Sequence, residues 1–160
     1  GLSRRFLNDY YMKLSKIISQ EQYGKIQLYK HGVFWTAYEQ SAYCIWKEKG
    51  YKVSCKFVKY MKRNIVSLGF PDSALKTWQD RNKTALLKET ENYRLFLASA
   101  SFDEPHFLHW RQNIETERSN KIEEESLEKM LKDYPLEKKT PVEAFLFLQK
   151  LQKNILEIKM

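Results

Sequence analysis

An aromatic pair that follows a glycine is the feature of this sequence with the clearest chemical potential. Phe34 and Trp35 come shortly after Gly32, and Lys30 and His31 lie just before that glycine. An exposed aromatic side chain can slide between weakly stacked base pairs and kink a duplex, while nearby cations can contact phosphates. The same pattern suits a phenylalanine that packs on a core at the start of a helix. The residues alone leave both interpretations open.

A second group of cations lies on a later predicted strand and in the connection that follows it. The group consists of Lys52, Lys56, Lys59, Lys62 and Arg63. On the strand, lysines alternate with apolar residues, so they share its solvent-facing side. Such cations can track phosphates, and the aromatic ring of Tyr60 among them can stack on a base. A solvated strand face protected by lysines is an equally good interpretation.

Two short segments resemble the N-terminal mismatch-recognition domain of the DNA mismatch-repair family MutS. Residues 32–36 (Gly-Val-Phe-Trp-Thr) match a Gly-x-Phe-x-Glu segment of that family, and residues 69–71 (Gly-Phe-Pro) match a later Gly-x-Pro segment. The resemblance covers roughly residues 5–98. It places Phe34 on the phenylalanine that contacts the mispaired base. Thr36 stands where the family has glutamate. The chain therefore keeps the aromatic side chain that inserts like a wedge between base pairs, but it lacks the carboxylate that contacts the mispaired base.

The resemblance implies an α/β (α+β) fold, in which a mixed, twisted β-sheet is surrounded by helices. It also implies a non-catalytic protein that binds DNA or an RNA/DNA hybrid through Phe34, Thr36 and the cations named above. Small stand-alone proteins of this kind are similar to accessory factors that accompany the reverse transcriptases of diversity-generating retroelements. Because Thr36 brings no charge, the departure puts mismatch discrimination in question but not general nucleic-acid contact.

No recognised catalytic motif occurs in the sequence, so we expect neither an enzyme nor a cofactor. A Gly-x-x-x-x-Gly-Lys-Ser/Thr loop is missing, and with it the ATPase of full-length MutS. His106 and His109 have a spacing that can hold a metal on a helix, but a third ligand is lacking and Pro105 disfavours a helix. We therefore expect no metal site. Cys44 and Cys55 lie on different predicted elements and indicate ordinary thiols in a reducing compartment.

The positive charge is concentrated in the first part of the chain. Residues 1–100 carry 18 basic and 8 acidic residues, whereas residues 101–160 carry 10 and 12, and the whole chain has a net charge of +8. Positive potential of this kind favours polyanions, although many domains carry similar charge for solubility. The chain lacks an apolar run of about 18 residues and a secretory core near residue 1, so we expect a cytoplasmic protein without a membrane partner.

Hydrophobic periodicity predicts the elements that position these residues. Helices are expected over residues 2–19, 34–49, 74–80 and 119–132, and from Thr140 onward. Strands are expected over residues 25–29, 51–57, 65–68, 84–88 and 93–98, and the third of these should return beside the first.

These elements predict three regions. An α/β domain covers residues 1–100, a connection covers 101–118, and a helical hairpin covers 119–160. Thr140 and Glu143 have the spacing of a capping box at the start of the last helix. Exposed faces of such a hairpin suit a homo-oligomer or a protein partner. A competing function is therefore a protein-interaction adaptor, in which the first domain is a scaffold and the acidic hairpin is the docking surface.

Overall fold

The computed structural model describes residues 13–81, 85–98 and 102–158. The strands are β1 (Lys25–His31), β2 (Phe34–Tyr38), β3 (Val53–Val58), β4 (Arg63–Pro71), β5 (Leu86–Glu89) and β6 (Tyr93–Leu97). The helices are α1 (residues 13–19), α2 (Glu39–Lys49), α3 (Asp72–Arg81), α4 (Glu104–Asp133) and α5 (Pro141–Ile158), with a 3-10 turn at Leu136–Lys138. Residues 2–12 of the first predicted helix, and Thr84 of a predicted strand, lie outside the described residues.

The six strands form one open sheet in the order β3-β4-β2-β1-β6-β5, and each of its pairings is antiparallel. Three of the pairs, β1–β2, β3–β4 and β5–β6, are hairpins of two consecutive strands. A short turn can join two strands only when they are antiparallel. The predicted α+β class is confirmed. The predicted mixed sheet is wrong for the described strands, because none of their pairings is parallel.

The chain after Gly32 forms a strand, so the helix predicted over residues 34–49 is wrong in its first five positions. Gly32 has a φ of 64°, a left-handed conformation that glycine adopts without strain. Together with Val33 it turns the chain back on itself, so that His31 pairs with Phe34 across the hairpin. A glycine that we interpreted as the end of a strand before a helix is therefore the turn of a hairpin.

The burial pattern of β2 explains why these residues prefer a strand. Trp35 and Ala37 are buried on one face of the sheet, while Phe34 and Thr36 alternate onto the other face. This period of two suits an extended chain between two neighbouring strands. Helix α2 begins only at Glu39.

Strand β4 is longer than the strand predicted over residues 65–68. It runs from Arg63 to Pro71 and pairs with β3 on one side and β2 on the other. The expectation that it returns beside β1 is therefore wrong, since β2 occupies that edge of β1.

Helices α2 and α3 cover one face of the sheet and build the main core there. Trp35, Leu28 and Phe96 are almost fully buried on this face. Trp78 of α3 packs edge-on against Phe96, with ring centroids 4.5 Å apart. The indole nitrogen of Trp35 also donates a 2.9 Å hydrogen bond to Oδ1 of Asp72, the first residue of α3. These contacts hold the β1–β2 hairpin in place from the face of the sheet that α2 and α3 cover.

Helix α1 packs on the opposite face of the sheet. Leu14 and Ile17 of α1 are buried against Tyr38, Val58 and Ile65. Within the part of the chain that the structure describes, α1 covers this face only in part, because a cavity beside Leu14 is lined by Thr36, Ser54 and Ser67 of the strands beyond this cluster. The sheet therefore has one apolar face and one face that is partly open.

Helix α4 begins inside the stretch 101–118, for which the sequence predicted a connection. Pro105 lies in its first turn, where a helix needs no amide hydrogen from proline. Phe107 and Trp110 are buried, and the Trp110 ring lies 5.2 Å from the ring of Tyr43 in α2. This aromatic packing attaches the start of α4 to α2.

The described chain divides into two compact units, an N-terminal unit (Gly1–Gln112) and a C-terminal unit (Asn113–Met160). The C-terminal unit contains the second part of α4 and all of α5. Tyr134 stacks on Phe147 of α5, with nearly parallel rings and centroids 3.8 Å apart. This unit therefore holds two helices joined by residues 134–140, in the part of the chain for which the sequence predicted a helical hairpin.

The N-cap role that the predicted capping box gives to Thr140 at the start of α5 is confirmed. The backbone nitrogen of Glu143 donates to Oγ1 of Thr140 at 3.2 Å, and that hydroxyl donates to Oε1 of Glu143 at 3.1 Å. Pro141 occupies the first helical position, where its fixed φ suits the helix.

Candidate functional site

The tip of the β1–β2 hairpin projects two apolar side chains into solvent. Val33 is 73% exposed and Phe34 is 53% exposed. Phe34 is the first residue of β2 and pairs with His31 on one side and Pro71 on the other. Because Trp35 is held from behind by Asp72, the alternation of the strand directs Phe34 onto the partly open face.

A groove lies on that same face, and we call it the hydroxyl groove. Its volume is about 480 Å³, and it opens between α1 and strands β1 to β4. The described residues that line it are Thr36, Tyr38, Ser54 and Ser67, which carry hydroxyl groups, His31 and Lys56, and the apolar residues Leu14, Phe57, Val58 and Ile65. Small polar groups that both donate and accept hydrogen bonds therefore lie beside aliphatic and aromatic surface.

Gly69 leaves the hydroxyl of Thr36 uncovered. The two residues are direct cross-strand partners in β4 and β2. A Cβ atom on Gly69 would lie 3.9 Å from Oγ1 of Thr36 and 3.7 Å from the carbonyl oxygen of Trp35. Any longer side chain at this position would stand over the hydroxyl, so the glycine keeps this part of the face open.

His31 contributes an uncharged ring to the groove at neutral pH. Burial lowers the pKa of His31 below its ordinary value of 6.5, and the charge of Lys13 lowers it further. The hydroxyl of Tyr38 lies 3.1 Å from Nε2 of His31, which fixes the orientation of the ring. Of the described residues that line the groove, Lys56 therefore supplies the permanent positive charge.

The structure brings together only part of the predicted set of site residues. Phe34, Thr36, His31 and Lys56 lie on one face, at or beside the groove. Lys30 lies on the other face, because it alternates with His31 in β1. On that face it is near Asp72, whose pKa is lowered mainly by the hydrogen bond from Trp35 and to a smaller extent by the charges of Lys76 and Lys30.

The remaining predicted cations have separate positions. Nη2 of Arg63 donates to Oε1 of the buried Glu39 at 3.4 Å, so the guanidinium of Arg63 is engaged in an ion pair within the protein. Lys59 and Lys62 lie in the β3–β4 turn, where Lys62 has a φ of 52°. Lys52 precedes β3 and has no partner in the strand register.

Sequence reasoning missed the residues that give the groove its polar lining. Ser54 and Ser67 are cross-strand partners in β3 and β4, and Ser67 also pairs with Tyr38 of β2. In the sequence, Ser54 and Ser67 are each recognisable only as a polar residue between apolar neighbours. The signal that joins them is the strand register, which the alternation within a single strand does not contain.

Outside the groove, the carboxyl group of Glu21 accepts hydrogen bonds from the first residues of α2. Oε1 of Glu21 accepts hydrogen bonds from the Ser41 hydroxyl at 2.6 Å, from the Ser41 amide at 3.0 Å and from Nε2 of Gln40 at 3.1 Å. Oε2 of Glu21 is buried without a hydrogen-bond partner. Burial outweighs these bonds and raises the pKa of Glu21 to about 7.

The described residues hold no group of three or more histidine, cysteine or acidic side chains placed to bind a metal ion. His106 instead contacts the carboxylate of Asp103 just before α4. Both Cys44 and Cys55 are free thiols, and burial raises the pKa of Cys44 to about 11. Within the described ranges, no helix is both long and apolar enough to cross a bilayer.

Comparisons of the chain with protein-family models, with curated proteins and with solved structures found no match. The likeness to MutS therefore rests on the two short sequence segments, and it stays a prediction.

Proposed function

We propose that this protein binds nucleic acid without catalysing a reaction, through the partly open face of its sheet. The observation that carries the proposal is the position of Phe34, which is half exposed at the hairpin tip and pairs directly with a residue of the hydroxyl groove. An aromatic ring beside a polar groove suits a base that stacks on the ring and hydrogen-bonds along the groove.

The chemistry of the lining supports binding with little sequence preference. The hydroxyls of Thr36, Ser54 and Ser67 both donate and accept, so they can pair with the edges of any base. Among the described residues, the lining contains neither a carboxylate nor an arginine, the groups that make the most selective bidentate contacts with bases. Because Thr36 replaces the glutamate of the MutS-like segment, Phe34 lacks the neighbouring carboxylate that would contact a particular mispaired base. We therefore propose preference for unstacked or easily deformed sites over recognition of a particular mispair.

The charge of the N-terminal unit points to the same class of partner. Residues 1–112 carry 19 basic and 10 acidic residues, a net charge of +9. This potential attracts a polyanion and makes its binding strongly dependent on salt. The role beside the reverse transcriptase of a diversity-generating retroelement, which the resemblance implies, stays a prediction.

A titration with four oligonucleotides tests the proposal. The full chain is titrated with matched duplex, mismatched duplex, single strand and RNA/DNA hybrid at a low and a moderate salt concentration. The F34A variant should lose about tenfold in affinity for the mismatched duplex and clearly less for the matched one, since stacking on one base contributes roughly 1–3 kcal/mol. An equal loss on both duplexes would reject the wedge.

A matched control is Leu87→Ala. Leu87 is 53% exposed, as Phe34 is, and lies on β5 at the far edge of the sheet. This variant should bind all four oligonucleotides like the unmodified chain. If the unmodified chain binds none of them at low salt, the proposal fails and the adaptor becomes the better hypothesis.

The adaptor is favoured by one specific observation, which concerns α5. Six large apolar side chains of this helix are between 43% and 68% exposed: Val142, Phe145, Leu146, Leu148, Ile155 and Leu156. A protein surface of this kind is suited to another protein and not to a phosphate backbone.

A further inference from the structure

A smaller cavity of about 70 Å³ adjoins the hydroxyl groove at α1. Leu14, His31 and Tyr38 line both spaces, so each is continuous with the other. Lys13 of α1 also lines the smaller cavity, close enough to His31 for its charge to act on that ring. The combined space therefore has a lysine on each of two walls, Lys13 on the helix and Lys56 on strand β3.

The dimensions of the groove suit one nucleotide and not a duplex. Its volume of about 480 Å³ lies within the range of small-molecule sites, about 300–1,000 Å³. Helix α1 forms one wall, so a base can enter only after it has left its stack. In a duplex each base is paired and stacked, and turning it out has a cost that is absent in a single strand. The groove therefore favours an unpaired base.

The strand register separates Phe34 from the far wall of the groove by a length that a short strand of nucleic acid can bridge. Phe34 pairs with Pro71 of β4, and Ser54 of β3 pairs with Ser67 of β4. Four steps along β4 correspond to about 13 Å, and β3 lies two strand spacings of about 4.8 Å from β2. The direct distance is therefore about 16 Å. About four nucleotides cover such a length, at the low end of the site sizes of single-strand grooves.

We propose that the hydroxyl groove is a site for single-stranded nucleic acid, in which one base stacks on Phe34, a following nucleotide enters the groove, and Lys13 and Lys56 contact phosphates at its two walls. The hydroxyls of Thr36 and Ser67 donate to and accept from the edge of the entering base. Lysine contacts a phosphate as a point charge, so these two contacts carry no sequence information. The inference rests on the proposed nucleic-acid binding and deepens it, because it names an unpaired strand as the ligand.

A titration of the full chain at moderate salt tests the class of ligand. The probes are oligothymidylates of increasing length, thymidine monophosphate and a matched duplex. Affinity should rise steeply up to about four nucleotides, and a strand of this length should bind at least about tenfold more tightly than the monophosphate or the duplex. The monophosphate distinguishes a free nucleotide from a strand, because it cannot occupy the groove and stack on Phe34 at once.

The outcomes separate this inference from the proposed function. Binding of the duplex as tightly as the single strand would overturn the inference and leave nucleic-acid binding intact. Binding of thymidine monophosphate as tightly as a strand would also overturn it, since the groove would then take a free nucleotide. If no probe binds even at low salt, both the inference and the proposed function fail.

Two lysines of α1 provide a matched pair of variants. Lys13→Gln removes a cation that lines the smaller cavity, and it should lower the slope of log affinity against log salt by about 0.7 on a single strand. Lys16→Gln makes the same change at an exposed lysine of the same helix that lines neither cavity, and it should leave the slope unchanged. Circular dichroism should show the same helical content in both variants. Equal effects of the two changes would contradict the contact between Lys13 and a phosphate.

Discussion

Nε of Arg111 donates a 2.6 Å hydrogen bond to Oε2 of Glu39, which lies 72 positions earlier in the chain. Nη2 of Arg111 also donates to the carbonyl oxygen of Asn64 at 2.6 Å. Oε1 of Glu39 accepts from the amide of Val66 at 3.3 Å. One buried carboxylate therefore connects the start of α2, strand β4 and the first part of α4. Glu39 has a φ of 50°, a conformation that these contacts hold in place.

Replacing Arg111 should destabilise the protein much more than replacing Arg63. The Arg111 side chain is 17% exposed and Glu39 is 8% exposed, so Arg111→Met leaves a buried carboxylate with too little compensation, at a cost of about 3–5 kcal/mol. Arg63→Met removes a longer contact from a side chain that is 44% exposed and should cost about 1 kcal/mol or less. Urea unfolding of both variants measures the difference. Similar losses of unfolding free energy in the two variants would show that Arg63 compensates the buried Glu39 carboxylate as much as Arg111 does.

The salt dependence of binding should distinguish the two faces of the sheet. Lys56→Gln removes a cation of the hydroxyl groove and should lower the slope of log affinity against log salt by about 0.7 on a single strand. Lys30→Gln removes a cation on the other face and should leave this slope unchanged. Extending the first change to Lys59 and Lys62 should lower the slope further. A larger effect of Lys30→Gln would place the binding surface on the face of α2 and α3.

Filling the space above Thr36 should block binding without unfolding the sheet. A Cβ atom at position 69 makes ordinary contacts of 3.7 and 3.9 Å, so Gly69→Ala should fold normally. Gly69→Val adds two methyl groups beside the Thr36 hydroxyl and should weaken binding by about tenfold, provided that a base uses this part of the groove. Thermal unfolding should show small differences between the two variants. Unchanged affinity of the valine variant would exclude Thr36 from the contact.

Stability should fall as the pH rises from about 4.5 to about 7. Glu21 has a pKa of about 7 in the folded protein and an ordinary value of 4.5, so in this window the folded state keeps a proton that the unfolded state has lost. The free energy of unfolding then decreases with pH, by at most about 1.4 kcal/mol for each pH unit, and levels off above pH 7. Glu21→Gln should abolish this part of the pH dependence in urea unfolding. A parallel pH profile in the variant would assign the effect to another group.

Elements with strong periodicity were predictable from the sequence, and junctions between elements were not. Alternating Ile26 and Leu28 gave β1, and the Thr140 capping box gave the start of α5, because both signals are local. The segment after Gly32 also contains a strand alternation, but the helical stripe that starts a few residues later obscured it. Pro105 was interpreted as a break, although it fits the first turn of α4.

The candidate site was predictable only where it depends on one segment. Phe34 and Thr36 were recognisable as candidates from an unusual run of residues, but the sequence predicted a helix from Phe34 onward where the structure has a hairpin. The groove beside the hairpin was not recognisable, because Ser54 and Ser67 meet there through strand pairing between distant parts of the chain. The contact of Glu39 with Arg111 left no local signal at all. Side chains that meet across long separations become visible only when the register is known.

The order of strands in the sheet has a consequence for the growing chain. β1 forms a hairpin with β2 as soon as both are synthesised, but its other edge pairs with β6, whose Leu97 lies opposite Lys25. Until that late segment leaves the ribosome, one side of β1 presents unpaired amides and carbonyls, a template on which other chains can aggregate. The charged side chains of Lys25 and Lys30 in β1 disfavour such pairing during this interval.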